Sequence, residues 1–128
     1  MRIEHIGYMV SDPPAVARWY IEHLGFGVRR KIDHSPHAHF LADQSGQVMI
    51  EIYNNPRATV PDYANLDPLV LHLAFIVEEV AATRQRLLDA GASPVGEIET
   101  TAAGDRLAML RDPWGYPIQL CHRAEPMV

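Results

Sequence analysis

The chain has one cysteine, Cys121, so no intrachain disulfide can form and no cysteine metal cluster can be assembled. No apolar run approaches the roughly 18 residues that a membrane-spanning helix needs, which leaves membrane insertion without support. The opening Met1-Arg2-Ile3-Glu4-His5 lacks the basic-then-apolar pattern of a secretion signal, and the expectation is a cytoplasmic protein. Positive charge is also scarce. Lys and Arg together number 11 against 16 Asp and Glu, a net charge of -5, so no basic face is available to track a phosphate backbone. Nucleic acid is not expected as a partner. What is present is 48% hydrophobic residues in 128, enough for one self-sufficient core in which roughly two-thirds of the unfolded surface is buried.

An internal repeat organises the chain. His5-Ile6-Gly7-Tyr8-Met9-Val10 is echoed 67 positions later by His72-Leu73-Ala74-Phe75-Ile76-Val77, and both read as strands that open a unit. After the first strand, Asp12 and Pro13 form a helix start, Val16, Trp19, Tyr20, His23 and Leu24 keep helical spacing, and Gly25 stops the helix. After the second, Val80, Thr83, Leu87 and Ala90 repeat that period, with Glu78 and Glu79 expected in the first turn and Gly91 at the end. Strand-like runs follow at residues 27–32 and 37–41, and at 93–98 and 106–110. The turns Asp43-Gln44-Ser45-Gly46 and Asp112-Pro113-Trp114-Gly115, 69 positions apart, lead into the last strands, Val48 to Tyr53 and Tyr116 to Cys121. Each half therefore reads βαβββ. The expected layout is a single domain over 1–128: module one at 1–55, a connecting loop at 56–68, module two at 69–123 and a tail at 124–128.

Polar residues repeat with the fold. A histidine on each first strand is matched by Glu51 or Gln119 on each last strand, at spacings of 46 and 47. Glu51 lies between Ile50 and Ile52, and Gln119 between Ile118 and Leu120, so each polar side chain breaks an apolar pattern and needs a partner. His5, Glu51, His72 and Gln119 together form a ligand set suited to a divalent metal ion such as Zn, Ni, Co, Mn or Fe, with water or substrate oxygen completing it. The competing reading is a metal-free cup whose polar groups bond one another or water.

The His5 strand, the helix from Asp12-Pro13 to Leu24-Gly25-Phe26, the Met49-Ile50-Glu51 strand, the His72 strand and Asp112-Pro113-Trp114-Gly115 resemble the vicinal-oxygen-chelate superfamily over nearly the whole chain. That group includes glyoxalase I, methylmalonyl-CoA epimerase, extradiol dioxygenases, fosfomycin-resistance transferases and metal-free bleomycin-resistance proteins. The resemblance implies an α+β fold in which two βαβββ modules form a curved mixed sheet cupping one site, and it implies a homodimer. The glyoxalase-like pattern of His, Glu, His, Glu falls on His5, Glu51, His72 and Gln119, and departs at the fourth position. An amide coordinates through oxygen but cannot accept the substrate proton, which leaves Glu51 as the catalytic base. The leading expectation is a glyoxalase-like metal-dependent lyase or isomerase acting on a small oxygen-bearing substrate through metal-stabilised enediolate chemistry. The alternatives are a bleomycin-resistance-like protein that sequesters a ligand without metal, and an extradiol-type dioxygenase. The last is disfavoured because Gln119 occupies the place of the iron-binding acid.

Other residues carry weaker signals. His34, His37 and His39 are dense enough to suggest a second metal site, with His37 and His39 on one strand face, although a tolerant surface strand explains them more simply. Trp19 and Tyr20 read as core, Cys121 as a buried inert thiol, and Tyr53, Arg57 and Arg123 as residues near the strand ends that either meet substrate or face solvent.

Overall fold

The computed structural model describes residues 1–127 and divides into two compact units, Met1–Pro61 and a second beginning at Asp62. The first contains β1 (Ile6–Met9), α1 (Pro13–Leu24), β2 (Gly27–Lys31), β3 (His39–Ala42) and β4 (Met49–Tyr53). The second contains a 3₁₀ turn (Tyr63–Asn65), β5 (Leu73–Ile76), α2 (Val80–Asp89), β6 (Ser93–Thr100), β7 (Arg106–Arg111) and β8 (Pro117–His122). The α+β reading with two βαβββ modules holds, and each module pairs its strands into its own four-stranded mixed sheet. The orders are β1-β4-β3-β2 and β5-β8-β7-β6, with β1 parallel to β4, β5 parallel to β8 and the remaining pairs antiparallel. No helix among the described residues is long and apolar enough to cross a membrane.

Local chemistry sets the first helix. The Asp12 carboxylate accepts the Ala15 N–H at 3.0 Å, Pro13 and Pro14 occupy positions with no N–H to leave unsatisfied, and Gly25 closes the helix at φ 75°. Val16 and Tyr20 are fully buried as α1 lies on β3 and β4. The face they cover carries Leu41, Ile50 and Ile52, and each such side chain contributes about 1.5–3 kcal/mol by leaving water. In the second module α2 lies on β6, β7 and β8, burying Val80 and Leu87 near a sheet face that carries Leu110, Ile118 and Leu120. Because strand side chains alternate, the opposite face of each sheet is free of its helix, and that face holds Glu51 in one module and Gln119 in the other.

Three local expectations change. The second helix starts at Val80, so Glu79 is its N-cap and Glu78 precedes it. The bond from Val77 N–H to the Cys121 carbonyl prolongs the β5–β8 pairing, and the helical bonding begins with Thr83 N–H on the Glu79 carbonyl. His37 lies outside β3 in a tight turn closed by its N–H on the His34 carbonyl, at φ 55°, so it does not share a strand face with His39. The proline-containing stretch 56–68 is not plain loop. Tyr63 is buried with its ring 4.8 Å from that of Tyr116, and the Arg111 guanidinium donates to the carbonyls of Tyr63 (2.6 Å), Leu66 (2.8 Å) and Gly115 (3.2 Å).

Candidate functional site

In the first module Glu51 pairs across the sheet with Gly7 on one side and Phe40 on the other. Its neighbours Ile50 and Ile52, 3% and 0% exposed, point towards the helix, so the carboxylate must emerge on the helix-free face. His5 precedes Gly7 by two positions and shares that face. Its Nε2 stands 3.3 Å from Glu51 Oε2, with the two side chains 31% and 22% exposed. The imidazole meets the Phe40 ring edge to face at 5.3 Å, and its Nδ1 is engaged by the Glu4 carboxylate. Gly7 leaves room for this arrangement, since a Cβ there would come within 3.1 Å of Glu51 Oε2.

The second module repeats the placement with different chemistry. Gln119 pairs with Ala74 and Met109, and His72 precedes Ala74 by two positions. His72 Nδ1 lies 2.7 Å from the Pro68 carbonyl, which can only accept, so in the neutral tautomer that makes this bond Nδ1 carries the proton and the Nε2 lone pair is left for a ligand. His5 stands between two acceptors, Glu4 at Nδ1 and Glu51 at Nε2, so a neutral ring donates to one carboxylate and turns its lone pair to the other. Gln119 Oε1 accepts the Cys121 thiol proton at 3.3 Å, and burial pushes that thiol above its ordinary pKa, keeping it protonated as the donor.

These donors suit a divalent ion in kind. Ligands bound at about 2.0–2.2 Å stand about 2.8–3.6 Å from one another around a metal, from octahedral to tetrahedral angles, a range that contains the His5–Glu51 separation of 3.3 Å. The Nδ1 contacts are also the outer bonds that usually orient metal-binding imidazoles. The structure brings His5 to Glu51 and places His72 and Gln119 on one face, but among the described residues no group of three or more His, Cys, Asp or Glu side chains is gathered to hold a metal ion. That finding covers His34, His37 and His39 as well. His39 is buried, with Nδ1 2.8 Å from the His37 carbonyl. Trp19 and Tyr20 are buried, as expected. Arg123 is held at 2.7 Å by Asp105, a pairing that lowers the Asp105 carboxyl below its usual range and raises the guanidinium, so its charge is committed within the fold.

Sequence reasoning missed a cavity of about 340 Å³ on the helix-free face of the second module. Its lining includes Val95, Glu97, Glu99, Leu107, Met109 and Gln119. Val95 pairs with Met109 and Glu99 with Leu107, which sets both on that face, but the register shifts between them around Gly96, so simple alternation along β6 carried no signal for the cavity. The volume falls in the range of small-molecule sites.

Comparison with known proteins gives a consistent fold. A family profile described as the Glyoxalase/Bleomycin resistance protein/Dioxygenase superfamily matches residues 2–120. A glyoxalase family protein from Bacillus cereus superposes with a TM-score of 0.82 at 18% identity, over 98% of this chain and 95% of that one. The protein SMU.1112c is 30% identical with a TM-score of 0.70, over 95% of this chain and 98% of its own. TnmS3, an antibiotic binding protein from Streptomyces sp. CB03234, is 22% identical with a TM-score of 0.71, over 97% and 99%. Comparison with curated proteins finds none that matches.

Proposed function

We propose that this chain, which belongs to the Glyoxalase/Bleomycin resistance protein/Dioxygenase superfamily, is a glyoxalase-like divalent-metal-dependent lyase or isomerase acting on a small oxygen-bearing molecule. Its ligand set is His5, Glu51, His72 and Gln119. The observation that carries this reading is the matched bonding of the imidazoles, each with Nδ1 engaged by an oxygen of its own module, and with His5 Nε2 3.3 Å from Glu51. A bound divalent ion, whether Zn, Ni, Co, Mn or Fe, supplies Lewis-acid stabilisation of negative charge on a substrate oxygen. Glu51 takes a carbon-bound proton and returns it to a neighbouring atom, because Gln119, as an amide, cannot. Buried Ile50 and Ile52 fix the strand that aims the Glu51 carboxylate, and Gly7 keeps the space beside it open. The same reading takes the protein as a cytoplasmic homodimer; light scattering checks the dimer, and cell fractionation checks the compartment.

Metal-free ligand sequestration is the second reading. It is favoured by the cavity beside Gln119. Extradiol chemistry has no acid at Gln119 on which to rest.

The deciding test is elemental analysis of tag-free protein and of a His5→Ala, His72→Ala double variant. About one ion per chain, lost in the variant, supports the metal centre. Protein that stays metal-free after incubation with Zn, Ni, Mn and Fe(II) overturns it and leaves sequestration.

A further inference from the structure

The cavity of the second module has a charge asymmetry that the ligand set does not explain. Its walls are apolar at Val95, Leu107 and Met109, the Gln119 amide stands at one end, and Glu97 and Glu99 stand on β6. Asp67 adds a third carboxylate, and none of the described lining residues is Lys, Arg or His. The basic groups placed beside the lining have partners within the fold: His72 Nδ1 lies 2.7 Å from the carbonyl of the lining residue Pro68. Arg111 is bonded to three carbonyls, and Arg84, on α2, donates to the Gly96 carbonyl at 3.1 Å.

The position of the acids is built into the backbone. Pairing of β6 with β7 shifts between Val95 and Glu99, where Gly96 adopts φ 68°, so an irregularity interrupts the ladder at Glu97 and ends at Glu99. Arg84 holds that irregularity from behind. The carboxylates are not gathered closely enough to share a metal ion. An array of that kind suits a larger charge carried on an organic body, which keeps part of its hydration while its apolar portion fills the cavity.

We propose that this cavity selects a small organic cation, an ammonium-type head on an apolar body, with the charged head towards Glu97 and Glu99 and an oxygen-bearing end towards Gln119. The proposal deepens the small-molecule reading given above and rests on that face being where the molecule binds, with or without metal. Field lines from the acids, concentrated by apolar walls, favour a cation and penalise a carboxylate of equal size.

The test uses three probes with one phenyl ring and charges of +1, 0 and −1: benzyltrimethylammonium, benzyl alcohol and benzoate. Each is titrated into isotope-labelled full-length protein with EDTA present, and amide chemical shifts are followed. The ammonium is expected to bind at least about tenfold more tightly than the alcohol, with shifts centred on Val95, Gly96, Met109 and Gln119, and benzoate is expected to bind most weakly. In the Glu97→Gln, Glu99→Gln variant the preference for the cation disappears while benzyl alcohol binding is retained. Equal binding of all three probes, or shifts lying elsewhere, overturns the proposal. The charge series on the unaltered protein decides the matter even if the variant does not fold. EDTA separates the two questions, because a failed metal analysis leaves this test intact, and a failed charge series leaves the metal reading intact.

Discussion

Gly115→Ala and Gly46→Ala place the same methyl group at matched points of the repeat, and the structure assigns them different penalties. Both glycines have positive φ, 88° and 70°, and both close a turn by donating N–H to the carbonyl of Asp112 or Asp43. Left-handed backbone costs an alanine about 1–2 kcal/mol at either site. At Gly46 the added Cβ meets only Arg29 Nη2, at 2.7 Å, the far end of a flexible side chain that can swing aside. At Gly115 it meets Ala64 N, Cα and Cβ at 2.8, 2.9 and 2.9 Å, and this backbone is pinned by Arg111 and by the Tyr63–Tyr116 packing. Overpacking against fixed atoms adds about 1–3 kcal/mol, so Gly115→Ala should lose roughly 2–5 kcal/mol and Gly46→Ala only the backbone part. Urea titrations followed by circular dichroism give both values. Equal losses at the two sites would refute the reasoning, because they would mean that Ala64 yields as easily as a side-chain tip.

Arg111→Met removes the donors that three carbonyls share and should cost about 2–4 kcal/mol by urea titration, with the largest increase in amide exchange at residues 63–66. The Asp105 carboxyl is held below its usual range, first by its hydrogen bond from Arg123 and then by the Ala124 N–H, so its stabilisation is fully present above the ordinary carboxyl pKa of about 4 and is lost as pH falls through the lowered value. Asp105→Asn should therefore be less stable than the parent at pH 7, and the gap should close on acidification; a gap that widened would contradict the sign. The Cys121 thiol, raised by burial, should react with iodoacetamide at pH 8 on the order of tenfold more slowly in the folded protein than in urea. Equal rates would show an accessible thiolate.

What the sequence by itself determined is whatever follows from short-range pattern. The Asp12 cap and Gly25 stop are local backbone chemistry, and they mark the first helix at its observed ends. Residue alternation fixed that Glu51 and Gln119 leave the faces occupied by Ile50, Ile52, Ile118 and Leu120, and the repeat fixed that His5 and His72 stand in equivalent places. Register between distant strands was not legible, because pairing depends on atoms that no local window contains. Only tertiary structure decided that Gly7 lies beside Glu51, that the His72 ring donates to the Pro68 carbonyl, and that Asp105 rather than a ligand holds Arg123. The same holds for Glu97 and Glu99. The register shift around Gly96 that sets them beside the cavity is not a local pattern, and the cavity they border exists only once β7 and β8 supply Leu107, Met109 and Gln119 beside them. The paired turns show the division most plainly. Asp43 to Gly46 and Asp112 to Gly115 follow one local rule, and only the approach of Ala64 to Gly115 makes the second turn intolerant of a single methyl group.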